Sequence, residues 1–168
     1  MTYDYRDMFA AVASNDLEFI RKNQALVNDA SDVSKVTPLH IAMYRGTADE
    51  TVGLLIELKA NIEAGDDCGM SPLYLACSFN KATKADVLLT HRADVNTRSD
   101  GGMTPLISAA TYGNLSILRL LLEYGALVGS VKTGGALNHG ESAITICDNS
   151  ECRDLLERAR KYQESPNF

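Results

Sequence analysis

Histidine and cysteine are the residue types here best suited to metal binding or proton transfer, and this chain of 168 residues carries three of the first and four of the second. Cys147 and Cys152 follow His139 at spacings that fit no paired-cysteine zinc pattern. Both thiols fall where the core of a closing structural unit is expected, and buried thiols behave as small hydrophobes. Cys68 stands on a Gly- and Asp-rich turn and is expected to be exposed. Gly134-Gly135 lacks the lysine and the strand-to-helix setting of a phosphate loop. Ser78-Phe79-Asn80-Lys81 spells the S-x-x-K pattern of an activated serine, yet it crosses the end of a predicted helix and not the site that motif requires. His91 and His139 are expected to be exposed, with no nucleophile or acid beside them. Acid, base and nucleophile do not converge, so the chain reads as non-enzymatic, with no cofactor and no metal.

The elements that would position these residues repeat. Thr37-Pro38-Leu39-His40 returns as Ser71-Pro72-Leu73-Tyr74 and as Thr104-Pro105-Leu106-Ile107, at steps of 34 and 33 residues. A period of that size is the signature of a stack of repeats. In each, a hydroxyl residue before proline marks a helix start, because the hydroxyl caps free N–H groups and proline fits the first helical position. A residue suited to the left-handed conformation ends the short helix: Gly46, Asn80 and Gly113, with Asn15 upstream. A longer helix follows each stop, as in Leu54-Leu55-Ile56, Val87-Leu88-Leu89 and Leu120-Leu121-Leu122. A turn such as Asp66-Asp67-Cys68-Gly69 then leads to the next proline.

Helix, turn, helix and projecting turn, opened by Thr-Pro-Leu-His, resemble the ankyrin repeat over roughly residues 6 to 160. The resemblance implies an all-α ankyrin-repeat solenoid with projecting β-turns, forming a single domain over 1–168. Its units are a degenerate opening repeat at 6–33, core repeats at 37–69, 71–102 and 104–140, and a closing repeat at 142–163. Two outer-helix ends depart from the family's glycine: Lys59 and Arg92 stand where Gly125 stands in the third repeat. Non-glycine residues there carry a positive φ at a cost on the order of 1 kcal/mol. The third repeat also has a longer tip, Ser130 to Glu141. His40 occupies the position at which the family ties adjacent repeats by hydrogen bonds.

Ankyrin-like stacks bind partners with the turn tips and the adjoining face of the short inner helices. Residue by residue, that places the partner-binding face on Val36, Tyr44, Arg45, Met70, Ser78, Phe79, Met103, Thr111 and Tyr112. Aromatics and arginine are enriched at binding hot spots, and methionine adapts to irregular surfaces. Three core repeats make a groove on the order of 25–30 Å long. Asp32, Asp66, Asp67 and Asp100 are expected to form a negative rim beside it, suited to a basic partner with apolar anchors.

The net charge of −6 and pI near 5.0 argue against nucleic acid as the partner. The longest apolar stretch, Leu115 to Val128, is interrupted by Arg119 and Glu123 and is too short to span a membrane. The polar, acidic start is unlike a secretory signal, so the chain is expected to be cytoplasmic, with delivery into a host cell as the other location. The resulting expectation is a monomeric protein–protein interaction module that binds one partner as inhibitor, adaptor or immunity-type protein. The alternative is a regulatory subunit of an enzyme complex that contacts its partner through the loop at 130–141.

Overall fold

Proline at the first helical position and a hydroxyl before it recur in the coordinates as they do in the sequence. The structure is a computed structural model that describes residues 3–44, 46–130 and 142–165. Helices come in pairs. α1 (Tyr5–Ser14) and α2 (Leu17–Lys22) open the chain, followed by a 3-10 turn at Gln24–Leu26. Then come α3 (Pro38–Tyr44) with α4 (Asp49–Glu57), α5 (Pro72–Ser78) with α6 (Ala82–Thr90), and α7 (Pro105–Thr111) with α8 (Leu115–Glu123). α9 (Ala143–Ile146) and α10 (Ser150–Gln163) close the stack. The inner helices α1, α3, α5, α7 and α9 pack in succession, and the outer helices α2, α4, α6, α8 and α10 do the same. The described residues form no β-strand, and none of their helices is long and apolar enough to cross a membrane.

Helices of seven to nine residues do not persist alone in water, where about 12–15 residues are needed for even marginal stability. Packing between layers therefore holds them. Leu39, Leu73 and Leu106 point into one continuous core, and Ala42, Ala76 and Ala109 let neighbouring inner helices approach closely. Leu55, Leu88 and Leu121 seal the outer side of the same core. Each fully buried leucine contributes about 1.5–3 kcal/mol relative to exposure.

The helix stops are alike. In α4, α6 and α8 the N–H groups of Lys59, Arg92 and Gly125 reach back three residues, and those of Ala60, Ala93 and Ala126 reach back five. That is the double hydrogen bond of a Schellman stop, which needs a left-handed residue. Lys59 and Arg92 take φ 68° and Gly125 φ 84°, so the two departures from glycine adopt the expected strained conformation. Asn15, Asn80 and Gly113 end α1, α5 and α7 in the same way, at φ 59°, 53° and 64°.

Candidate functional site

The start of each inner helix fixes the residue in front of it. Ser71 Oγ accepts from the Tyr74 N–H and Thr104 Oγ1 accepts from the Ile107 N–H, each at 3.2 Å. The residue before each hydroxyl closes a turn. The carbonyls of Val36, Met70 and Met103 accept from the N–H groups of Ser31, Asp66 and Ser99 at 2.9, 3.1 and 3.0 Å. Their own N–H groups donate to Ser31 Oγ, Asp66 Oδ1 and Ser99 Oγ at 3.1, 2.9 and 3.2 Å. Val36, Met70 and Met103 are thus anchored through the backbone, with half-buried side chains along the base of the tips.

Three aromatic rings stand further out. Tyr44, Phe79 and Tyr112 lie at the ends of successive inner helices, with relative exposures of 38%, 45% and 64%. Tyr44 and Phe79 meet edge to face, with centroids 5.4 Å apart and planes at 65°. Such pairs contribute about 0.5–1.5 kcal/mol beyond their burial, so the contact joins two repeats and also shapes the exposed strip. Thr111 is exposed beside Tyr112 and donates its hydroxyl to Ile107 O. Ser78 is half-buried, within hydrogen-bonding distance of Ser108 Oγ at 2.7 Å and of its own Tyr74 O. Its hydroxyl bridges α5 to α7. Arg45, the loop at 131–141 and His139 lie outside the described residues, while Ser130 is half-buried at the start of that loop.

The acidic rim differs from expectation at one position. Asp66 is only 6% exposed, because its carboxylate turns inward to accept from the N–H groups of Cys68 and Met70 at 2.9 Å each. It closes the turn, and Asp32, Asp67 and Asp100 remain as the exposed acids. Asp66, Asp67 and Cys68 do bring three donor atoms within 4.8 Å of one another, an arrangement already accounted for by the turn that Asp66 closes.

Successive tips are stitched together. Asp67 donates its N–H to Ser34 O and Asp100 donates to Cys68 O, each at 2.9 Å. Gly69 sits at φ 70°, and a Cβ there would come within 2.5 Å of Asp100 Oδ1 and 2.9 Å of the Asp100 nitrogen. Glycine is therefore required twice, by its backbone conformation and by the close approach of the next tip. Lys35 and Gly102 take the matching left-handed conformation at the neighbouring tips.

His40 lies fully buried below this surface. Its Nδ1 accepts from the Thr37 N–H at 3.1 Å and lies 2.8 Å from Thr37 Oγ1, which leaves Nε2–H to donate to Met70 O at 3.0 Å. Burial pushes the imidazole below its ordinary value, against the pull of the Met70 carbonyl and Asp66. The Tyr44 hydroxyl is pushed up by partial burial, with Asp66, Asp67 and Cys68 adding to it. Asp67 raises the exposed Cys68 thiol most, helped by some desolvation and by Asp66 and Asp100. Cys77, Cys147 and Cys152 are buried. Burial, followed by contact with Cys147, pushes the Cys152 thiol up to about 11. These are inert thiols.

Sequence reasoning missed Lys84. This α6 lysine is 4% exposed and donates Nζ to Ala42 O and Thr47 O, capping the end of α3 from the neighbouring repeat. The equivalent positions of the neighbouring repeats hold Thr51 and Ile117, so a lysine in their place was the available signal.

Depressions of the surface include the groove between α8 and α10 lined by Leu122, Leu155, Ala159 and Tyr162, and one between α1 and α2 lined by Asp7, Ala10, Ser14 and Phe19. Neither of these is lined by Tyr44, Phe79 or Tyr112. The family model for ankyrin repeats (3 copies) matches residues 8–99, 50–132 and 77–157 of the chain. No curated protein matches it.

Proposed function

Since the chain belongs to the ankyrin-repeat family, whose repeats are generally protein–protein interaction modules and typically non-enzymatic, we propose that it binds one partner protein through its inner-helix face and turn tips. The observation that carries this reading is the strip formed by Tyr44, Phe79 and Tyr112, three exposed rings on three consecutive inner helices. The same inner helices bury Leu39, Leu73, Leu75 and Leu106 almost completely yet leave these rings at their ends open to water, and truncating such anchors costs on the order of 2 kcal/mol or more at a hot spot. Met70 and Met103 supply adaptable contacts at the base of the tips, with Val36, Ser78 and Thr111 completing the edge. A single bound partner is blocked or held in place, as an inhibitor, adaptor or immunity-type protein would do.

The test is capture of partners on the immobilised full chain, with identification by mass spectrometry. The Tyr44→Ala/Phe79→Ala/Tyr112→Ala chain should lose the partner while keeping its helical circular dichroism. Undiminished capture would overturn the proposal.

A further inference from the structure

We infer that the partner segment seated on this strip is a cationic amphipathic one, with apolar residues on Tyr44, Phe79 and Tyr112 and a lysine or arginine over the notch between Asp67 and Asp100. This rests on the reading that the strip is the binding face and adds the chemistry of what it binds.

Three observations converge on it. First, the exposed acids of the second and third tips have no counter-ion among the described residues. The ion pairs among the described residues are Arg6–Asp4, Lys22–Glu18, Arg119–Glu151 and Arg160–Glu164, and none involves Asp66, Asp67 or Asp100. Second, the tips hold these acids together. The Asp100 N–H bonds to Cys68 O, and the Asp100 carboxylate lies against the Cα of Gly69, so a carboxylate from each tip flanks Cys68. Asp66 adds a buried carboxylate whose hydrogen-bond partners are backbone N–H groups alone. Third, the acids sit beside the first ring: His40, one turn before Tyr44 on α3, donates to Met70 O, and Met70 is paired with Asp66 through both its backbone groups, so that Tyr44 also feels Asp66 and Asp67. The apolar and negative features are therefore adjacent on one face, and the aromatic rings can themselves attract a cation.

The other occupants fit worse. An anionic partner would bring like charge onto Asp67 and Asp100, which disfavours wrong partners strongly. A second copy of this chain also carries a net charge of −6, so the two would repel at long range. A cationic segment gains from that same charge, which steers its approach.

The probes are two synthetic helical peptides of about 16 residues, long enough to cover roughly 24 Å. One alternates leucine and lysine faces, and the other has glutamate in place of lysine. Each is titrated into the ¹⁵N-labelled full chain while amide shifts are followed. The leucine/lysine peptide should move the amides around Tyr44, Met70, Phe79 and Tyr112, and the leucine/glutamate peptide should leave them in place. Asp67→Asn/Asp100→Asn should weaken the leucine/lysine peptide by about fivefold or more, the sum expected of two partly exposed ion pairs. Glu57→Gln/Glu123→Gln removes two exposed charges from the outer helices and should change binding by less than about twofold. Equal weakening by the two double variants, shifts centred away from the strip, or equal response to the two peptides would overturn the inference. Failure here is separable from failure of the binding-face reading. A captured partner lost with the three rings, yet held equally well by the Asp67→Asn/Asp100→Asn chain, would keep the face and discard the cation.

Discussion

The junction between the first and second core repeats and the junction between the second and third share a backbone plan and differ in what fills it. In the first, His40 bridges to Met70 O, Asp66 closes the tip with a buried carboxylate, and Lys84 reaches back to Ala42 O and Thr47 O. In the second, the corresponding positions are Tyr74, Ser99 and Ile117. That junction relies on small neutral contacts: Ser78 with Ser108 at 2.7 Å, and Asn114 Nδ2 donating to Cys77 O at 3.4 Å. The comparison teaches that one repeat geometry tolerates two chemistries. Buried charged and imidazole groups fix orientation but leave costly orphans when one partner is removed, whereas neutral hydroxyl and amide contacts leave smaller ones.

Exchanging residues between the junctions would break the comparison most directly. Lys84→Ile, which installs the residue of the third repeat, should destabilise the fold by about 3 kcal/mol, because two buried carbonyls lose their donor. Urea unfolding monitored by circular dichroism measures it, and an unchanged midpoint would show that water replaces the lysine. Gly69→Ala should cost about 2 kcal/mol, from the left-handed backbone and from the steric conflict with Asp100. Lys35→Ala at the first tip should cost far less, since its site already accepts a side chain at φ 51°.

A smaller effect is expected from acid. His40 is held neutral, with its folded-state value below the ordinary 6.5, so the unfolded chain takes up the proton first. Stability should be fully present above about pH 6.5 and fall progressively below it. His40→Tyr, matching Tyr74, should flatten that limb of the pH profile even though it lowers stability overall; an identical slope in both chains would assign the effect elsewhere. The smallest change should be a gain. Lys59→Gly and Arg92→Gly should each raise stability by up to about 1 kcal/mol by relieving positive φ, read as an upward shift of the thermal midpoint. Gly125→Ala should do the reverse.

The repeat plan was legible because it is written in local signals: proline after a hydroxyl, asparagine or glycine at a stop, and leucines at fixed offsets. Even the strained Lys59 and Arg92 could be placed from the glycine that occupies the third equivalent position. The candidate face was legible to the extent that Tyr44, Phe79 and Tyr112 follow their prolines by six or seven residues. Asp66 and Lys84 were not legible, because their partners decide their roles. Asp66 and Asp67 are identical side chains in adjacent positions, and only the turn geometry sends one inward. Lys84 caps carbonyls 42 and 37 residues earlier, a relation carried by repeat stacking that no local window contains.

The Tyr44–Phe79 contact has a further use. One ring belongs to the first core repeat and the other to the second, so their separation varies with the rotation between the two. Ring-current shifts of the Phe79 protons would therefore act as a built-in gauge of superhelical curvature. Loading the aromatic strip and tilting one repeat on the next would be readable from one pair of side chains, without any added label.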